Sequence, residues 1–549
     1  MIKKYTEKPI TLLPAIIIAL LAFVVIYTPF QIGERELSTQ EGYYAAVITE
    51  VTPTIFPTTV AQGELIHGIY PLYPSIASIA YNLGLPMEYS LRLLSVFAML
   101  LTSIIVFFVG KKAYNTEAAI VAATMNFSCF ISMEKVIDGY PDMLGCMFIF
   151  ISWMLWFTYG AVDRFWNKAW IYSSIFCGLA FYTLGWMALL YFALPLIFLH
   201  RPLTVWQKMK HPGFVVGIVI VLSFILIWGI PTWALSGLYH SKNNFFEDTT
   251  ISDYLHHLFT YPFTFILKFF PWSLIIWAPF CAALNRLDSN VIFNRYLRTI
   301  ICSVGVLMWL NPFFSLRDLI FLVPPLSVIT AGYYWVIIRR YTRQYYHITR
   351  ALSATLCLSA IFTTIVYLTP STFNFMEAYL PRSLDFIVEN KKYGLTLSLI
   401  TFVLTLYFTF LEHRRIVLWR HLLGISVAIS LMMWSTLIPY RSQSHEKKFF
   451  ATIIKNALLK QGDFSDDLIL YKDVGISGRY SECFYMGCKV KKIKNLSELP
   501  DNEKIVYLLS TRAPFIPGRK SKNILPKGMK YKDTTIYLWQ CIIDEDDDD

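Results

Sequence analysis

The sequence predicts an α-helical protein that crosses a membrane many times and carries a small α/β domain at its C-terminal end. Hydrophobic residues make up 56% of the 549 residues and charged residues only 15%, whereas soluble domains contain about 25% charged residues. The apolar residues also form blocks of about 17–23 residues, and helices of that length cross a hydrocarbon core of about 30 Å. This pattern excludes an ordinary soluble protein.

About thirteen apolar blocks follow one another along the chain. The fifth and sixth share one run of 31 residues, 169–199, which fits either two short spans or one strongly tilted span. The approximate limits of the blocks are 10–30, 91–109, 117–133, 143–160, 169–185, 186–199, 213–235, 263–284, 297–313, 319–337, 350–369, 394–411 and 420–439.

The distribution of Lys and Arg predicts the orientation in the membrane. With a cytoplasmic N-terminus and thirteen spans, the cytoplasmic segments carry 20 of these residues and the outer loops seven. A single span over 169–199 would reverse every later loop, so thirteen spans are preferred to twelve. The net charge of +11 then follows from topology and does not indicate a nucleic-acid partner. The first apolar run is too long for a signal peptide and lacks a small-residue cleavage site, so we expect it to remain as a span.

With a cytoplasmic N-terminus, an odd number of spans places the C-terminal tail on the outer side of the membrane. The chain is therefore predicted to have two domains. Residues 1–440 form the transmembrane region, with a long first outer loop at 31–90, and residues 441–549 form an outer domain. The outer domain has strand-like runs, DLILY, KVKKI, KIVYLLS and TTIYLWQCII, and ends in DEDDDD, which we expect to be disordered. Cys483 and Cys488 are the nearest pair of tail cysteines, but spacing alone does not establish a disulfide.

The first outer loop concentrates acidic side chains. The stretch from Ser38 to Val51 has helical spacing of apolar residues, so we expect a helix along the membrane surface and a second helix after Pro74. A solvated acidic loop is the alternative. The loop has one base before residue 65, Arg35, and five acids: Glu34, Glu36, Glu41, Glu50 and Glu64.

The second outer loop, MEKVIDGYPDML, is very short and also charged. It places Glu134, Lys135, Asp138 and Asp142 at the mouth between the third and fourth predicted spans. Two carboxylates four residues apart fit three roles: binding a metal ion, acting as a base, or capping the helix that follows.

A third outer segment, PFFSLRDLIFLVPP, places Arg317 and Asp318 just before the tenth predicted span. Arg317 is suited to hold a phosphate through charge-assisted hydrogen bonds, or to pair with Asp318 or with an acid of the first loop. The sequence contains no P-loop, dinucleotide fingerprint or HExxH. An outward-facing enzyme without a nucleotide site needs an activated substrate from the membrane, and a polyprenyl-phosphate sugar meets this need.

These residues resemble the GT-C class of membrane glycosyltransferases, in the branch that contains protein O-mannosyltransferases and the lipid A aminoarabinose transferase. The resemblance spans almost the whole chain and rests on the order, spacing and sidedness of several short stretches. The stretches are QEGYYA at 40–45, GELIHGIYPLYP at 63–74, Glu88 and Arg92 entering the second span, Asp-Met-Leu at 142–144, RDLIFLVPPL at 317–326 and FYMGCKVKKIKNLSEL at 484–499.

Two positions depart from the family pattern. The first acid of the loop pair, the family's usual candidate for activating the acceptor, is Gln40 here, so its role would pass to Glu41, or to Glu34 or Glu36. The aminoarabinose transferases have a Lys-Pro thought to contact the donor phosphate, where this chain has Ile69 and Tyr70. Phosphate binding would then fall to other bases, and the candidates are Arg317, Lys135 and Arg35.

The resemblance implies that a sugar moves, with inversion, from a polyprenyl-phosphate donor to lipid A or lipopolysaccharide, another glycan or a protein. The reaction would take place on the periplasmic face of a bacterial inner membrane and use no nucleotide. We expect Glu41, Asp142 and Asp138 to be catalytic, with Glu41 and Asp142 alternatively binding a divalent metal ion. The expected substrate-binding residues are Gln40, Glu36, Arg35, Tyr44, His67, Arg92, Lys135 and Arg317.

Two other interpretations stay open at this point. A transporter or flippase for a lipid-linked substrate would also use membrane carboxylates, although the charges here cluster in outer loops and no inverted repeat is visible. The second interpretation is a catalytically silent relative that binds a lipid or another partner. Gln40 and the absence of the family's Lys-Pro favour this interpretation.

Overall fold

The computed structural model describes most of the chain. The described residues are 11–27, 32–33, 35–50, 58–66, 68–236, 251–311, 315–372, 385–411, 417–442, 446–462, 465, 468–473, 476, 479–493, 495–500, 503–525, 528–531 and 534–543. His67, Glu34 and the acidic run 544–549, all named in the predictions above, lie outside them.

Twenty-one α-helices and eight strands occupy the described residues. The helices are α1 (Leu12–Tyr27), α2 (Thr39–Glu50), α3 (Leu72–Asn82), α4 (Met87–Ala113), α5 (Thr116–Ser128), α6 (Phe130–Lys135), α7 (Asp142–Phe157), α8 (Trp166–Leu184), α9 (Trp186–Ile197), α10 (Val205–Lys208), α11 (Pro212–Ser236), α12 (Ile251–Lys268), α13 (Ala282–Asn285), α14 (Val291–Leu310), α15 (Val323–Leu368), α16 (Asp385–Glu389), α17 (Lys391–Leu406), α18 (Leu418–Met432), α19 (Ile438–Ser442), α20 (Glu446–Gln461) and α21 (Tyr480–Met486). The strands are β1 (Val60–Ala61), β2 (Glu64–Leu65), β3 (Ile469–Asp473), β4 (Lys489–Ile493), β5 (Ile505–Ser510), β6 (Arg519–Asn523), β7 (Met529–Tyr531) and β8 (Thr534–Ile543).

Each predicted apolar block overlaps at least one helix, as expected if the apolar side chains drive helix formation in lipid. Among the described residues, seven helices are long and apolar enough to cross a membrane, and an eighth is counted if α12 and the short helical turns after it form one bent span. The protein is therefore a helical, multi-pass membrane protein. The count of thirteen spans stays a prediction.

Three breaks in the helices bear on that prediction. Gly185 adopts φ 68° and ψ −141° between α8 and α9, so the run 169–199 forms two helices rather than one. The 46-residue α15 is interrupted at Tyr341, with φ −123° and ψ 17°, between the two blocks predicted there. After α12 the chain bends by 104° into the helical turns at 272–280.

The chain divides into two compact units, and the division falls within α4 and α11. The helical unit comprises residues 1–32, 92–225 and 246–443. Its core is rich in aromatic side chains: the rings of Trp156 and Tyr296 stack with centroids 5.9 Å apart, and the Tyr296 hydroxyl donates to the Trp153 carbonyl at 2.8 Å. Aromatic side chains thus fill the interior of this unit, and the Tyr296 hydroxyl finds a backbone partner there.

The mixed unit comprises residues 33–91, 226–245 and 444–549, so residues of the first predicted outer loop group with the C-terminal residues. Its main sheet has the strand order β4-β3-β5-β8-β6, with β7 also paired to β8. Strand β3 is parallel to β4 and β5, whereas β8 is antiparallel to its neighbours. A buried cluster joins the sheet to helices α20 and α21: Phe450, Ile454, Met486, Leu470, Tyr507 and Leu538.

The C-terminal region is therefore a mixed β-sheet domain with helices, and the four predicted strand runs correspond to β3, β4, β5 and β8. One detail of the predictions was wrong, and one open question is answered. Helix α3 begins at Leu72, before Pro74 rather than after it. Cys483 and Cys488 are free thiols, and burial raises the pKa of Cys488 to about 12.

Candidate functional site

Asp142 and Arg317 face each other in the helical unit. Asp142 is the first residue of α7, and the helix cap before it is Pro141, with no side-chain capping bond. Asp142 therefore lies in the first turn rather than at the cap position, and its negative charge there is favoured by the positive end of the helix. Its Oδ2 lies 3.7 Å from Nη1 of Arg317, and both side chains keep about a fifth of their surface accessible, 20% and 23%.

Arg317 is held on a rigid turn. It lies in a 3-10 helix, Leu316–Leu322, that begins with a capping box between Ser315 and Asp318. The Asp318 carboxylate thus accepts the Ser315 backbone N–H at 3.0 Å and also lies within electrostatic range of Arg317. The guanidinium carbon of Arg317 lies 4.0 Å from the centroid of the Tyr140 ring. This distance is well within the range of a cation–π interaction.

Asp138 and Lys135 complete this group, since both lie within electrostatic range of Asp142. Four predicted site residues, Lys135, Asp138, Asp142 and Arg317, are therefore brought together, and we call them the helical-unit cluster. The arrangement combines two carboxylates with two cations at the start of α7. Such a set can bind an anion and accept a proton from a neighbouring hydroxyl.

The sequence analysis missed Lys268, at the end of α12, beside this cluster. Its ammonium donates to the carboxylate of Glu134, which also lies 3.1 Å from Lys135. Burial opposes ionisation of Glu134, but the hydrogen bond from Lys268 and the charges of both lysines outweigh burial and hold its pKa below the ordinary value. A single lysine inside an otherwise apolar block was the signal that could have identified Lys268.

Arg92, which was predicted to bind substrate, contacts the protein backbone in the structure. Its side chain is buried, and its guanidinium donates to the backbone carbonyl of Ile32 within the helical unit. This geometry gives Arg92 a contact with backbone, and a substrate contact for it stays a prediction.

In the mixed unit, Glu41 is engaged on both carboxylate oxygens. Ser38 and Glu41 form a reciprocal capping box at the start of α2: the Ser38 N–H donates to Oε2 at 2.7 Å, and the Glu41 N–H donates to the Ser38 hydroxyl at 3.1 Å. Oε1 lies 3.7 Å from Nη2 of Arg35, and the Glu41 side chain is 0% exposed. Glu41 therefore stabilises the start of α2 and positions Arg35.

Glu36 is engaged by the C-terminal region of the same unit. Its two oxygens accept the backbone N–H groups of Lys447 at 3.3 Å and Lys448 at 2.8 Å, in the first turn of α20. The first N–H groups of a helix have no partner within it, and its N-terminus favours negative charge. Glu36 therefore caps the N-terminus of α20 through a tertiary contact between residues distant in sequence.

Gln40 and Tyr44 lie on α2 beside these acids. Gln40 is exposed in the first turn, and the ring of Tyr44 packs edge-on against Tyr73 with centroids 5.5 Å apart. Arg35, Glu36, Gln40, Glu41 and Tyr44 form the second group of predicted residues, which we call the loop cluster.

Helix α21 packs tightly against α2. A Cβ atom added at Gly42 would lie 2.2 Å from the Ser481 hydroxyl and 2.4 Å from its backbone nitrogen, so only glycine fits at this crossing. Nearby, the Tyr485 hydroxyl accepts the Leu37 N–H at 2.8 Å and donates to Glu88 at 2.9 Å. Residues of the C-terminal region thus hold the backbone around Leu37 and Gly42, the segment that carries the loop cluster.

The stretch that replaces the family's Lys-Pro is part of a packed interior. Ile69 is buried with Ala46, Val47 and Tyr480, and the Tyr70 ring lies 5.1 Å from that of Trp228. Ile69 and Tyr70 therefore make apolar contacts at the positions where the family has its phosphate-contacting Lys-Pro. No group of three or more His, Cys, Asp or Glu side chains suited to a metal ion occurs among the residues that the structure describes.

Comparisons with known proteins agree with this architecture. Residues 67–228 match the family model described as dolichyl-phosphate-mannose-protein mannosyltransferase. The chain is 30% identical over 160 residues to undecaprenyl phosphate-alpha-4-amino-4-deoxy-L-arabinose arabinosyl transferase 2 of Proteus mirabilis (strain HI4320), covering 27% of this chain and 26% of that relative. This match thus spans about a quarter of the relative's length.

Solved structures extend the similarity to the whole fold. The crystal structure of ArnT from Cupriavidus metallidurans bound to undecaprenyl phosphate superposes with a TM-score of 0.68 at 13% identity, over 96% of this chain and 97% of that one. The apo structure of the same protein gives the same values. The predicted resemblance to the GT-C class of membrane glycosyltransferases, in the mannosyltransferase and aminoarabinose-transferase branch, is therefore confirmed.

Proposed function

We propose that this protein transfers a sugar from a polyprenyl-phosphate donor to an acceptor on the outer face of a bacterial inner membrane. The observation that carries the proposal is the pair formed by Arg317 and Asp142, 3.7 Å apart at the start of α7. In such a transfer a phosphate leaves and the acceptor hydroxyl loses a proton. A cation stabilises the charge on the leaving phosphate, and a carboxylate accepts the proton. The names of the matched family and relative, both of which refer to polyprenyl-type phosphates, support the choice of donor.

In the proposed reaction the acceptor oxygen attacks the anomeric carbon of the sugar. The new carbon–oxygen bond forms on the face opposite the phosphate, and the old bond breaks with its electron pair leaving on the phosphate oxygen, so the configuration inverts. Asp142 takes the proton of the acceptor hydroxyl, and Asp138 is its partner. Arg317, with Lys135, stabilises the negative charge that grows on the leaving phosphate.

Glu41 has a supporting place in this proposal. Its capping bonds with Ser38 and its contact with Arg35 favour a role in holding the start of α2, where Gln40 and Tyr44 would contact the acceptor. A catalytic charge at Glu41, or a divalent metal ion held by Glu41 and Asp142, is the rival assignment. His67 and Arg92 remain proposed substrate contacts on the basis of the family resemblance.

The proposed topology is the thirteen-span arrangement with a cytoplasmic N-terminus. Residues 1–440 would form the transmembrane region and residues 441–549 a periplasmic domain. Lipid A or lipopolysaccharide, another cell-envelope glycan and a protein are all candidate acceptors, and an acceptor assay with each class distinguishes them.

Transfer of a radiolabelled sugar by the purified protein in lipid nanodiscs tests the proposal. We expect product from a polyprenyl-phosphate sugar and none from a nucleotide sugar. Arg317→Gln should abolish most of the transfer, Arg317→Lys should keep part of it because the charge remains, and Arg340→Gln, which changes an exposed arginine of α15, should leave it unchanged.

Two outcomes would contradict the proposal. Equal transfer by wild type and Arg317→Gln would remove the assigned phosphate site. Movement of labelled lipid across a vesicle membrane without any transfer would favour the flippase, and binding of the lipid with neither activity would favour the silent relative.

A further inference from the structure

Helix α1 borders two apolar grooves of similar size in the helical unit. One groove, of about 240 Å³, lies between α1, α4 and α5, and the other, of about 230 Å³, lies between α1, α17 and α18. Ile16, Ala19 and Phe23 line the first, whereas Ile18 and Ala22 line the second. Because helix neighbours recur every three or four residues, these two sets lie on opposite faces of α1.

The two grooves differ in charge. The α4–α5 groove is lined by apolar side chains together with one hydroxyl, that of Ser103. The α17–α18 groove has apolar walls as well, including Leu404 and Val427, but Arg420 is also part of its lining. An arginine at the edge of an apolar groove supplies a positive charge that attracts the anionic headgroups of lipids.

The shape of the charged groove depends on a close contact between α18 and the end of α17. A Cβ atom added at Gly424 would lie 2.2 Å from the Phe408 ring, so the ring lies directly against the helix backbone. The Phe408 ring also lies 5.2 Å from that of His421. Beside this contact, Leu423, Gly424 and Val427 of α18 line the groove.

Arg420 is at the end of a candidate span rather than in its middle. Helix α18 begins at Leu418, so Arg420 is in its first turn, and the apolar lining residues Leu423 and Val427 follow it along the same helix. A phospholipid has the same order of parts: an anionic phosphate at the membrane surface and an acyl chain below it. The geometry and the charge therefore match this class of ligand.

We propose that the groove between α1, α17 and α18 is a binding site for an anionic phospholipid. The phosphate contacts Arg420, and one acyl chain lies along Ala22, Leu423 and Val427. Among the described residues that line it, the groove between α1, α4 and α5 has no cation, and it holds lipid chains without selecting a headgroup. This site is independent of the proposed sugar transfer.

The test uses the full-length protein purified in a neutral detergent. Dioleoylphosphatidylglycerol or dioleoylphosphatidylcholine is titrated in, and the thermal unfolding midpoint and the number of lipids retained in native mass spectrometry are measured. Wild type should bind the anionic lipid more tightly than the zwitterionic one. Arg420→Gln should weaken binding of the anionic lipid about 10-fold and remove the preference.

Matched variants separate the two grooves. Ala22→Phe should fill the charged groove and abolish the preference for the anionic lipid, whereas Ala19→Phe, in the other groove, should leave the preference intact. Arg340→Gln controls for a general loss of positive charge. Equal binding of the two lipids by wild type, or a preference that survives Arg420→Gln, would overturn the proposal.

Discussion

The guanidinium group of Arg317 lies over the ring of Tyr140: its central carbon is 4.0 Å from the ring centroid. Tyr140 is itself anchored, because its carbonyl oxygen accepts a hydrogen bond from the Ser95 hydroxyl at 2.9 Å. Arg317 is thus fixed from one side by an aromatic ring and from another by the Asp142 carboxylate.

Replacing the Tyr140 ring should therefore weaken donor binding. Tyr140→Leu removes the cation–π contact, which contributes about 0.5–2 kcal/mol, so we expect the donor KM to rise about 2- to 30-fold. Tyr140→Phe keeps the aromatic face and is the matched control. Steady-state kinetics with the polyprenyl-phosphate sugar give both values, and a Leu variant with the wild-type KM would show that the ring does not matter.

A second pair of variants separates Asp142 from Glu41. Asp142→Asn keeps the shape but removes the charge and should reduce kcat at least about 100-fold if Asp142 is the base. Glu41→Gln keeps an oxygen that can accept the Ser38 N–H, so a capping role predicts nearly normal transfer. Glu41→Ala should lower the unfolding free energy by about 0.5–2 kcal/mol, as for other lost helix caps.

The opposite pattern would reassign the chemistry. If Glu41→Gln is inactive while its unfolding midpoint is unchanged, Glu41 carries a catalytic or metal-binding charge. If Asp142→Asn transfers at the wild-type rate, Asp138 becomes the next carboxylate to replace.

Gln40 provides a prediction that tests whether the protein is active at all. If Gln40 only orients the acceptor, Gln40→Ala should cost one neutral hydrogen bond, about 0.5–1.5 kcal/mol or roughly 2- to 13-fold in rate. Gln40→Asp should then bring no gain. Transfer measured side by side in wild type and both variants decides the matter, since an inactive wild type that Gln40→Asp activates would identify a silent relative.

Glu50 should make the stability of the mixed unit depend on pH. Its Oε1 accepts the Gln62 N–H at 2.6 Å, yet burial dominates and raises its pKa from 4.5 to about 7. The folded state therefore holds a proton that the unfolded state releases at lower pH. We expect the contribution of Glu50 to stability to be greatest below about pH 4.5, to fall as the pH rises, and to level off above about pH 7.

Glu50→Gln tests this dependence directly. The amide still accepts the Gln62 N–H but does not titrate, so the variant should be more stable than wild type at pH 8 and should lose part of the pH slope. Thermal unfolding between pH 4 and pH 8 measures the effect, with Glu446→Gln, an exposed acid at the start of α20, as the control. Identical slopes for wild type and Glu50→Gln would refute the assignment.

The proposed topology is tested with reporter fusions. A reporter placed after Tyr440 should be active only in the outer compartment, and reporters at Lys112 or Arg340 only in the cytoplasm. A cytoplasmic signal after Tyr440 would break the thirteen-span model and move the proposed site to the other side of the membrane.

The helices were predictable because apolar length alone determines which segments enter lipid, and even the division at Gly185 followed from the charge of the later loops. The capping bonds of Glu41 were not predicted, because Glu41 was expected to be catalytic, although Ser-Thr-Gln-Glu at 38–41 is the pattern of a capping box. The ion pair between Glu134 and Lys268 could not be predicted from the sequence, because the two residues are 134 positions apart and Lys268 lies within an apolar block. Residue patterns report on local structure, whereas such contacts depend on the tertiary fold.

The contact between Glu36 and α20 has a consequence for the order in which the protein is made. Glu36 and Lys447 are separated by 411 residues, so the partner N–H groups do not exist until nearly the whole chain has left the ribosome. Until then neither this partner of Glu36 nor Ser481, which packs against the backbone at Gly42, is present. The mixed unit, although it begins near residue 33, includes residues 444–549, so a ribosome that stops before residue 446 releases a chain from which helix α20 and the main sheet of this unit are missing.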